Sequence, residues 1–238
     1  MSSNQKVPIL MYHSIMDDHL QSVSVKSFKK QMLLMKRMGY QTINFNSLIN
    51  DKNDKKFMIT FDDGYENIFL NAFPILKELD FNATCFIISN KIGDYNEWDK
   101  DQDNFKKMKL MNFDQINEWL QSGFNIGSHT MDHIDLTKIN DNDKINQIGN
   151  SKKFLDDMFN TKINSFAFPF GSYNNETLNV IKEYYDFAVT TKRSRYIKKK
   201  FNNLLLPRVP INKNDSIFKF FLKVRTPYED IKFKNNAN

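Results

Sequence analysis

Residues 57–64 of the chain have the sequence FMITFDDG, in which a β-prone apolar run ends abruptly at two acidic residues and a glycine. The run predicts an interior strand that carries Asp62 and Asp63 at its C-terminal tip. Because successive strand residues point to opposite faces, both carboxylates can face one point only if the backbone changes direction, and Gly64 supplies that freedom. A plain Asp-Gly turn between a strand and a helix is the alternative interpretation.

Short apolar runs alternate with amphipathic stretches along the whole chain. Strands are predicted at 7–12, 57–61, 83–88 and 124–128 and near Ile43, Phe166, Ala188 and Leu205. Helices are predicted at about 27–39, 69–79, 112–123 and 143–159. This alternation favours a mostly parallel sheet closed into a distorted (β/α) barrel. A length of 238 residues, with no evident linker, favours a single domain over 1–238.

The predicted helices carry specific packing and capping patterns. The first helix places on one face the apolar residues Phe28, Met32, Met35 and Met38. The stretch 143–159 places at helical spacing Ile145, Ile148, Leu155 and Met158. Asn112 and Gln115 have the spacing of a capping box, which predicts that a helix begins there.

Two histidines follow the strand predicted at 124–128. A spacing of four, between His129 and His133, brings both rings to one side of a helical turn. Neutral imidazole is a favoured ligand of zinc and neighbouring transition metals, and one carboxylate would complete the three protein ligands of an open catalytic site. Two half-exposed loop histidines are the alternative interpretation. Cys85 is the single cysteine and lies inside the predicted strand 83–88, so it is not a candidate ligand and an internal disulfide is excluded.

A third candidate strand, 7–12, ends at His13. In parallel α/β folds the chemistry lies on the loops at the carboxyl ends of the strands, so three strands would bring five polar groups to one rim. This convergence favours a catalytic role for His13, whereas a hydrogen-bonded core histidine is the alternative.

Three segments together resemble the motifs of the polysaccharide deacetylases of the NodB-homology group, carbohydrate esterase family four. They are 60–64 (TFDDG), 128–133 (SHTMDH) and 166–173 (FAFPFGSY), which resemble the first, second and third family motifs. The resemblance extends from about Val7 to about Val224 and implies a seven-stranded barrel.

The resemblance also assigns roles to the polar residues of the first two motifs. It implies that Asp62 is the catalytic base. It further implies one divalent metal, zinc or else cobalt or nickel, held by Asp63, His129 and His133.

The third motif implies substrate contacts from Phe170, Gly171 and Tyr173, with the Phe170 N–H as a donor to the oxyanion. The arginine that usually opens this motif and holds the base is missing, since Ser165 or Phe166 occupies that region. Arg208, in the segment LPRV, is the candidate substitute and is counted with the substrate-binding residues.

The acid histidine of the common family form lies near the C-terminus, but no histidine follows His133. Residues 8–14 (PILMYHS) are similar to the opening of the circularly permuted subgroup, the poly-N-acetylglucosamine deacetylases of bacterial biofilms. In that subgroup the acid histidine lies on the first strand. The resemblance therefore implies that His13 is the acid and that Met11 packs on the acetyl methyl group.

The implied activity is that of a metal-dependent amide hydrolase, which releases acetate from an N-acetylated glycan. An amine leaves only when protonated, so a base and an acid on opposite sides of the amide suit this reaction. A catalytically silent glycan-binding relative is the first alternative, since the altered third motif could mark lost activity. A non-heme iron oxygenase also uses two histidines and a carboxylate, but it leaves Asp62 and His13 without a role and usually has a β-rich jelly roll.

Positive charge is concentrated toward the C-terminus. The net charge is +6, and the stretch 192–234 holds 13 basic and 3 acidic residues. Such a stretch could attract an anionic or lipid-linked glycan or a membrane surface, whereas a solvated face is the simpler account. Nucleic acid is not an expected partner, because no recognition motif accompanies the charge. Peptidoglycan, chitin-like oligomers and small or lipid-linked N-acetyl sugars stay open as substrates.

Two segments lack clear periodicity. Residues 89–111 are predicted to form a loop over the rim, as a substrate lid or as a bare insertion, and 225–238 a polar tail. No apolar run approaches the roughly eighteen residues of a membrane-spanning helix. Residues 1–6 lack the apolar core of a signal peptide, which predicts a cytoplasmic protein, whereas the resemblance implies one that acts outside the cell after loss of a leader.

Overall fold

The computed structural model describes residues 6–17, 22–48, 55–101, 103, 105–197 and 201–233. The strands in this part of the chain are β1 Lys6–Val7, β2 Ile9–Tyr12, β3 Gln41–Thr42, β4 Lys56–Phe61, β5 Thr84–Ile87, β6 Asn125–Ser128, β7 Ser165–Ala167, β8 Phe187–Arg193, β9 Tyr196–Ile197 and β10 Leu206–Pro210. The helices are α1 Val25–Arg37, α2 Phe45–Leu48, α3 Phe73–Glu78, α4 Phe113–Gln121, α5 Asp141–Ile145, α6 Ser151–Phe159, α7 Asn175–Tyr184, α8 Ile217–Arg225 and α9 Tyr228–Lys232.

Seven parallel strands close into a barrel. Strands β2, β10, β8, β7, β6, β5 and β4 pair in that order, and the pairing of β2 with β4 closes the circle. Helices connect most of the consecutive strands, as the alternation of apolar runs and amphipathic stretches predicts. The predicted single-domain (β/α)7 barrel is therefore confirmed. A parallel barrel also differs from the antiparallel jelly roll expected of the oxygenase alternative.

A proline divides the strand predicted at 7–12. Pro8 has no N–H to donate, although its carbonyl oxygen accepts a hydrogen bond from the Met58 N–H at 3.0 Å. On one side of it, β1 pairs with β9 in a two-stranded antiparallel ribbon. On the other side, β2 enters the barrel between β4 and β10.

Two apolar clusters hold the barrel together. One contains residues of alternate strand positions that fill the barrel, among them Ile9, Met58, Phe86, Val189 and Leu206. The other lies between the strands and the surrounding helices, where α1 packs on the outer side of β2. Full burial of a large aliphatic or aromatic side chain contributes about 1.5–3 kcal/mol. The lower barrel is therefore a packed apolar core, and buried polar groups such as Arg208 lie above it, toward the rim.

The predicted first helix is confirmed with a slightly earlier start. Ser24 caps α1 by accepting a hydrogen bond from the Ser27 N–H, and the predicted apolar residues Phe28, Met32 and Met35 are fully buried. The capping box that begins α4 is also present. None of the helices in the described ranges is both long and apolar enough to cross a membrane.

The helix predicted at 143–159 is only partly correct. A π-helical turn, Asn146–Asn150, joins α5 to α6. The turn inserts extra backbone and shifts the helical phase, so a single 3.6-residue period does not describe both halves. Ile148 and Leu155 are buried as expected, but Ile145 and Met158 are exposed.

The described part of 225–238 is not a polar tail. It contains α9, whose Glu229 side chain is fully buried and accepts two hydrogen bonds from Arg193, at 2.9 and 3.2 Å. The next residue, Asp230, accepts a hydrogen bond from Arg195 Nη2 at 2.7 Å. Burial alone would raise the pKa of Asp230, but the hydrogen bonds from its cationic neighbours lower that pKa to about 2. These partners lie more than thirty residues away in sequence, so local composition could not reveal them.

The basic stretch 192–234 forms many internal ion pairs. Five of its cations contact carboxylates: Arg193, Arg195, Arg208, Lys219 and Lys223. These five charges are therefore balanced within the protein, and attraction of an anionic glycan or a membrane surface by the rest of the stretch stays a prediction. A linear count of charge does not show which residues pair, and one of the acids, Asp62, lies outside the stretch.

Candidate active site

Asp62 and Asp63 lie at the C-terminal end of β4, where the backbone turns sharply. The Asp62 N–H donates to the Tyr12 carbonyl oxygen at 3.0 Å, which extends the pairing of β4 with β2. Asp63 then has a left-handed φ of 73°, and Gly64 follows with 76°. The change of direction predicted at the glycine begins one residue earlier. It allows both buried carboxylates to face one cavity.

His129 and His133 converge on Asp63 from the end of β6. Asp63 Oδ1 lies 3.3 Å from His129 Nε2 and 3.4 Å from His133 Nε2, and all three side chains are buried. The helical turn predicted from their spacing is wrong. Thr130 and His133 have left-handed φ values of 67° and 57°, and the His133 N–H donates to Thr130 Oγ1 at 2.9 Å. This bend still brings the two rings together, with centroids 4.9 Å apart.

The distance of the Asp63 carboxylate from each imidazole is compatible with ligands shared by one tetrahedral cation. With ligand bonds of about 2.1 Å, neighbouring ligand atoms in such a site lie about 3.4 Å apart. The carboxylate oxygen lies 3.3 and 3.4 Å from the two imidazole nitrogens. Two imidazoles and one carboxylate are also a donor set of open catalytic zinc sites. Asp63, His129 and His133 therefore could bind a metal ion together.

The surroundings of each histidine suit a metal ligand. His129 Nδ1 lies 2.7 Å from the Ala167 carbonyl oxygen, which can only accept, so Nδ1 carries a proton and, in the neutral ring, Nε2 has the lone pair that a metal needs. Burial lowers the pKa of His133 to about 4, so its imidazole is neutral near pH 7. The rings of Trp98 and Phe170 each lie 4.8 Å from the His133 ring and shield it from solvent.

Arg208 holds Asp62 from inside the barrel. Its guanidinium is fully buried and donates from Nη1 to Asp62 Oδ1 at 2.6 Å and from Nη2 to Oδ2 at 2.7 Å. Nη1 also contacts Thr60 Oγ1 at 3.2 Å, and Nε donates to the Thr190 carbonyl oxygen at 3.0 Å. Burial alone would raise the pKa of Asp62, but the charge and hydrogen bonds of Arg208 outweigh it and lower that pKa.

Arg208 thus makes the contact expected of an arginine that holds the base. It is not among the described residues that line the cavity, because Asp62 lies between it and the open space. The predicted contact of Arg208 with substrate is therefore not supported by the described cavity wall.

His13 lies opposite Asp62 at the end of β2. Its side chain is 49% exposed, and its Nε2 is 3.9 Å from Asp62 Oδ2, too far for a direct hydrogen bond. The imidazole therefore contacts both the cavity and solvent. An acid in this position can exchange its proton with water between turnovers.

A cavity of about 510 Å³ joins the five predicted polar groups. Its wall includes His13, Asp62, Asp63, His129 and His133. The segment 89–111 contributes Trp98, Asp99 and Met108, so part of the predicted rim loop does lie over this opening. The segment is not wholly irregular, since it contains two short helical turns, Ser89–Lys91 and Glu97–Asp99.

Phe170 is the part of the third motif that reaches the cavity. Its side chain is 56% exposed and lines the wall beside His133. Its φ of 59° and the Gly171 φ of 72° turn the chain sharply. A Cβ on Gly171 would lie 2.0 Å from Thr191 Oγ1, so the glycine is required for close packing of this turn.

Three expected substrate contacts are not found in the described cavity wall. Gly171 packs on Thr191 as above, and the Tyr173 ring packs on Phe168 with centroids 5.3 Å apart. Met11 is buried in β2, below the rim. The motif resemblance placed these residues near the site but could not distinguish the wall from the layer behind it.

Sequence reasoning missed other parts of the wall. Tyr65 and Asp99 line the cavity, as do the residues 212–214. The last group begins two residues after β10 ends, and the acid pair likewise lies just after β4. The rule that parallel strands carry chemistry at their carboxyl ends could therefore have identified it.

Comparison with known proteins agrees with this geometry. The family model described as polysaccharide deacetylase matches residues 49–185. YxkH of Bacillus subtilis (strain 168) is 34% identical over 194 residues, which are 79% of this chain and 65% of YxkH, so the chain spans just under two thirds of that relative. The poly-β-1,6-N-acetyl-D-glucosamine N-deacetylase of Staphylococcus aureus (strain MRSA252) is 27% identical over 219 residues, 85% of this chain and 71% of that enzyme. The structure of the Streptococcus pyogenes deacetylase PplD in complex with acetate has a TM-score of 0.80 and 26% identity, and the match covers 92% of this chain and 98% of PplD.

Proposed function

The chain belongs to the polysaccharide deacetylase family, and from this premise we propose that it hydrolyses the N-acetyl amide of N-acetylhexosamine units in a glycan, with release of acetate. The observation that carries the proposal is the placement of Asp62. Arg208 holds this carboxylate between the Asp63–His129–His133 group and His13, within one cavity.

We further propose that Asp63, His129 and His133 hold a divalent metal, with zinc as the first candidate and cobalt or nickel as others. A metal bound there supplies Lewis-acid polarisation of the amide carbonyl and makes water a better nucleophile near neutral pH. The chain itself supplies the orientation of the ligands. His129 is oriented by the Ala167 carbonyl oxygen, and His133 by the rings beside it.

Asp62 acts in this proposal as the base that accepts the proton of the attacking water. Its lowered pKa keeps it ionised near pH 7. The two guanidinium contacts fix the plane of the carboxylate, so the remaining lone pairs point toward the cavity. Arg208 is a positioning residue, since it acts through Asp62 without reaching substrate.

His13 acts as the acid on the other side of the amide. The nitrogen must gain a proton before the C–N bond breaks, because an amide anion is a poor leaving group. The partly exposed imidazole can deliver that proton and recover another from water. The Phe170 N–H is the proposed donor to the oxyanion, at a turn that also places the Phe170 side chain against the cavity.

The Arg208 contact weakens the case for a catalytically silent relative. That alternative depended on the missing arginine of the third motif. Arg208 makes two hydrogen bonds to Asp62 from another strand, so the missing arginine is no longer a reason to suppose that catalytic activity was lost.

Acetate release tests the proposal. The metal-loaded protein is incubated with β-1,6-linked and β-1,4-linked N-acetylglucosamine oligomers, with and without a chelator. Acetate should appear with at least one oligomer, disappear with the chelator and return when zinc is added. No acetate from any N-acetylated glycan, at full metal occupancy, would contradict the proposal.

Paired variants test the division of roles. Asp62→Asn should abolish acetate release and keep the metal, whereas Asp63→Asn should lose the metal as well. Metal content measured by mass spectrometry after gel filtration separates the two results. Equal loss of metal in both variants would refute the assignment of Asp62 as base and Asp63 as ligand.

A further inference from the structure

We propose that Lys213 makes the enzyme selective for glycans that carry an anionic group, a phosphate or a carboxylate, close to the acetylated sugar. This inference rests on the function proposed above and specifies the substrate class of the same cavity. Lys213 is exposed and lines the cavity together with the catalytic groups. Among the described residues of the wall, it is the one lysine or arginine.

The charge of Lys213 is not paired with an acidic side chain in the described part of the protein. Several other cations of the basic stretch contact a carboxylate, as Arg208 does with Asp62 and Arg193 with Glu229. In the part of the chain that the structure describes, Lys213 has no carboxylate partner within 4.0 Å. Arg208 already balances the charge of Asp62. The lysine is therefore available for a group that enters from solution.

The turn that presents Lys213 is rigidly anchored. The Asn212 N–H donates to Asp215 Oδ2 at 3.0 Å, and the Asp215 N–H donates back to the Asn212 carbonyl oxygen at 3.0 Å. Lys223 Nζ, fully buried, donates to Asp215 Oδ2 at 2.5 Å and to the Pro210 carbonyl oxygen at 2.6 Å. The backbone of 212–215 is thus tied to both β10 and α8. A preorganised turn reduces the entropy lost when a side chain on it binds a ligand.

The neighbouring side chains suit an oxyanion on a sugar. Asn212 and Asn214 also line the cavity on either side of Lys213, so two amides accompany the ammonium group. Amide N–H groups and an ammonium group donate hydrogen bonds to phosphate or carboxylate oxygens, while the amide oxygens can accept from sugar hydroxyls. A neutral glycan would use the amides but leave the ammonium charge without a partner. The wall therefore favours the anionic form over the neutral one.

The test compares a neutral trimer with trimers that carry one added anionic substituent. These are tri-N-acetylchitotriose, the same trimer with one 6-O-phosphate, and a trimer with a lactyl ether carboxylate on one unit. The wild-type protein should show a kcat/KM about tenfold higher on at least one anionic trimer, the size expected for one hydrogen bond to a charged group. The advantage should shrink as NaCl rises from 50 to 500 mM. The two anionic trimers distinguish phosphate from carboxylate.

Variants at position 213 test whether Lys213 causes the preference for anionic trimers. Lys213→Met should lower kcat/KM on the preferred anionic trimer about tenfold more than on the neutral trimer, and Lys213→Arg should keep most of the preference. Lys30→Met is the matched control, since Lys30 is exposed on α1 and outside the described wall. This variant should leave kcat/KM unchanged on all three trimers. Equal rates on all three trimers for the wild type, or equal loss on all three in Lys213→Met, would overturn the inference while leaving the proposed function intact.

Binding separates this inference from the proposed activity. If no trimer releases acetate, the proposed function fails, and calorimetry still decides the role of Lys213. The phosphorylated trimer should then bind the wild type about tenfold more tightly than Lys213→Met does. Equal affinity in the two proteins would overturn the inference.

Discussion

Replacing Arg208 should destabilise the fold and stop catalysis without releasing the metal. The Arg208→Met variant keeps side-chain volume inside the barrel but removes both contacts to Asp62, at 2.6 and 2.7 Å. Hydrogen bonds to a charged group contribute about 1.5–3 kcal/mol each, and breaking a buried ion pair by removing one partner costs about 3–5 kcal/mol. Because Asp62 is 3% exposed and would lose its counter-charge, we expect a loss of about 3–5 kcal/mol in the free energy of unfolding.

A double-mutant cycle in urea measures this coupling. Asp62→Asn alone leaves the Arg208 charge buried without its partner, so it should also destabilise. The double variant Asp62→Asn/Arg208→Met removes both charges, and its loss should be smaller than the sum of the single losses by about 1–3 kcal/mol. Arg37→Met, at an exposed position, is the control and should change stability by less than about 0.5 kcal/mol. Additive losses in the cycle would refute the argument that Arg208 and Asp62 act as one buried pair.

Catalysis and metal content complete the same experiment. Arg208→Met should lower kcat for acetate release by at least about a hundredfold, since the base loses its fixed orientation. Metal content should stay at the wild-type level, because none of the predicted ligands contacts Arg208. Loss of the metal in this variant, at a temperature where it is folded, would show that metal binding depends on the Arg208–Asp62 pair.

Three other predictions concern separate features of the molecule. His13→Ala should keep the metal and lower kcat by about 10²- to 10⁴-fold, as measured by acetate release, and wild-type turnover in this variant would exclude it as the acid. Gly171→Ala should lower the thermal midpoint more than Gly123→Ala, because both have a left-handed φ but only Gly171 places the new Cβ against Thr191; equal shifts would contradict this. The folded-state pKa of Asp230, about 2, lies below the ordinary carboxyl value, so its stabilising contribution should be present above about pH 4 and be lost as pH falls toward 2. Asp230→Asn should make the urea midpoint depend less on pH between about pH 4 and 2. An unchanged pH dependence would contradict the assignment.

The barrel could be predicted because its signals are local and repeated. Strand β4 is a continuous apolar run, as expected for a strand buried on both faces, and the helices show their period over several turns. The ligand group could be predicted because the carboxyl ends of parallel strands meet at one rim. Asp63 lies two residues after β4 ends and His129 directly follows β6, so both lie at that rim.

Features that depend on contacts between distant segments could not be predicted. Met11 and Tyr173 belong to the sequence motifs of the site, but neither lines the described cavity wall. A sequence motif does not show whether a side chain reaches the cavity or packs behind its wall. The ion pair of Arg193 with Glu229 joins residues that look like separate surface charges in the sequence. The π-helical turn before α6 likewise follows from packing, since Ile145 has the helical spacing of a buried residue and is nevertheless exposed.

The backbone of the site explains why its geometry was beyond sequence reasoning. Left-handed φ values occur at four non-glycine residues of the site and its loops, which are Asp63, Thr130, His133 and Phe170. Each such conformation costs about 1–2 kcal/mol for an ordinary residue, so none would be chosen locally. The same turns aim Asp63 and His133 at one point, and relaxing them to extended backbone would separate the ligand atoms. The surrounding barrel must therefore hold these turns in place.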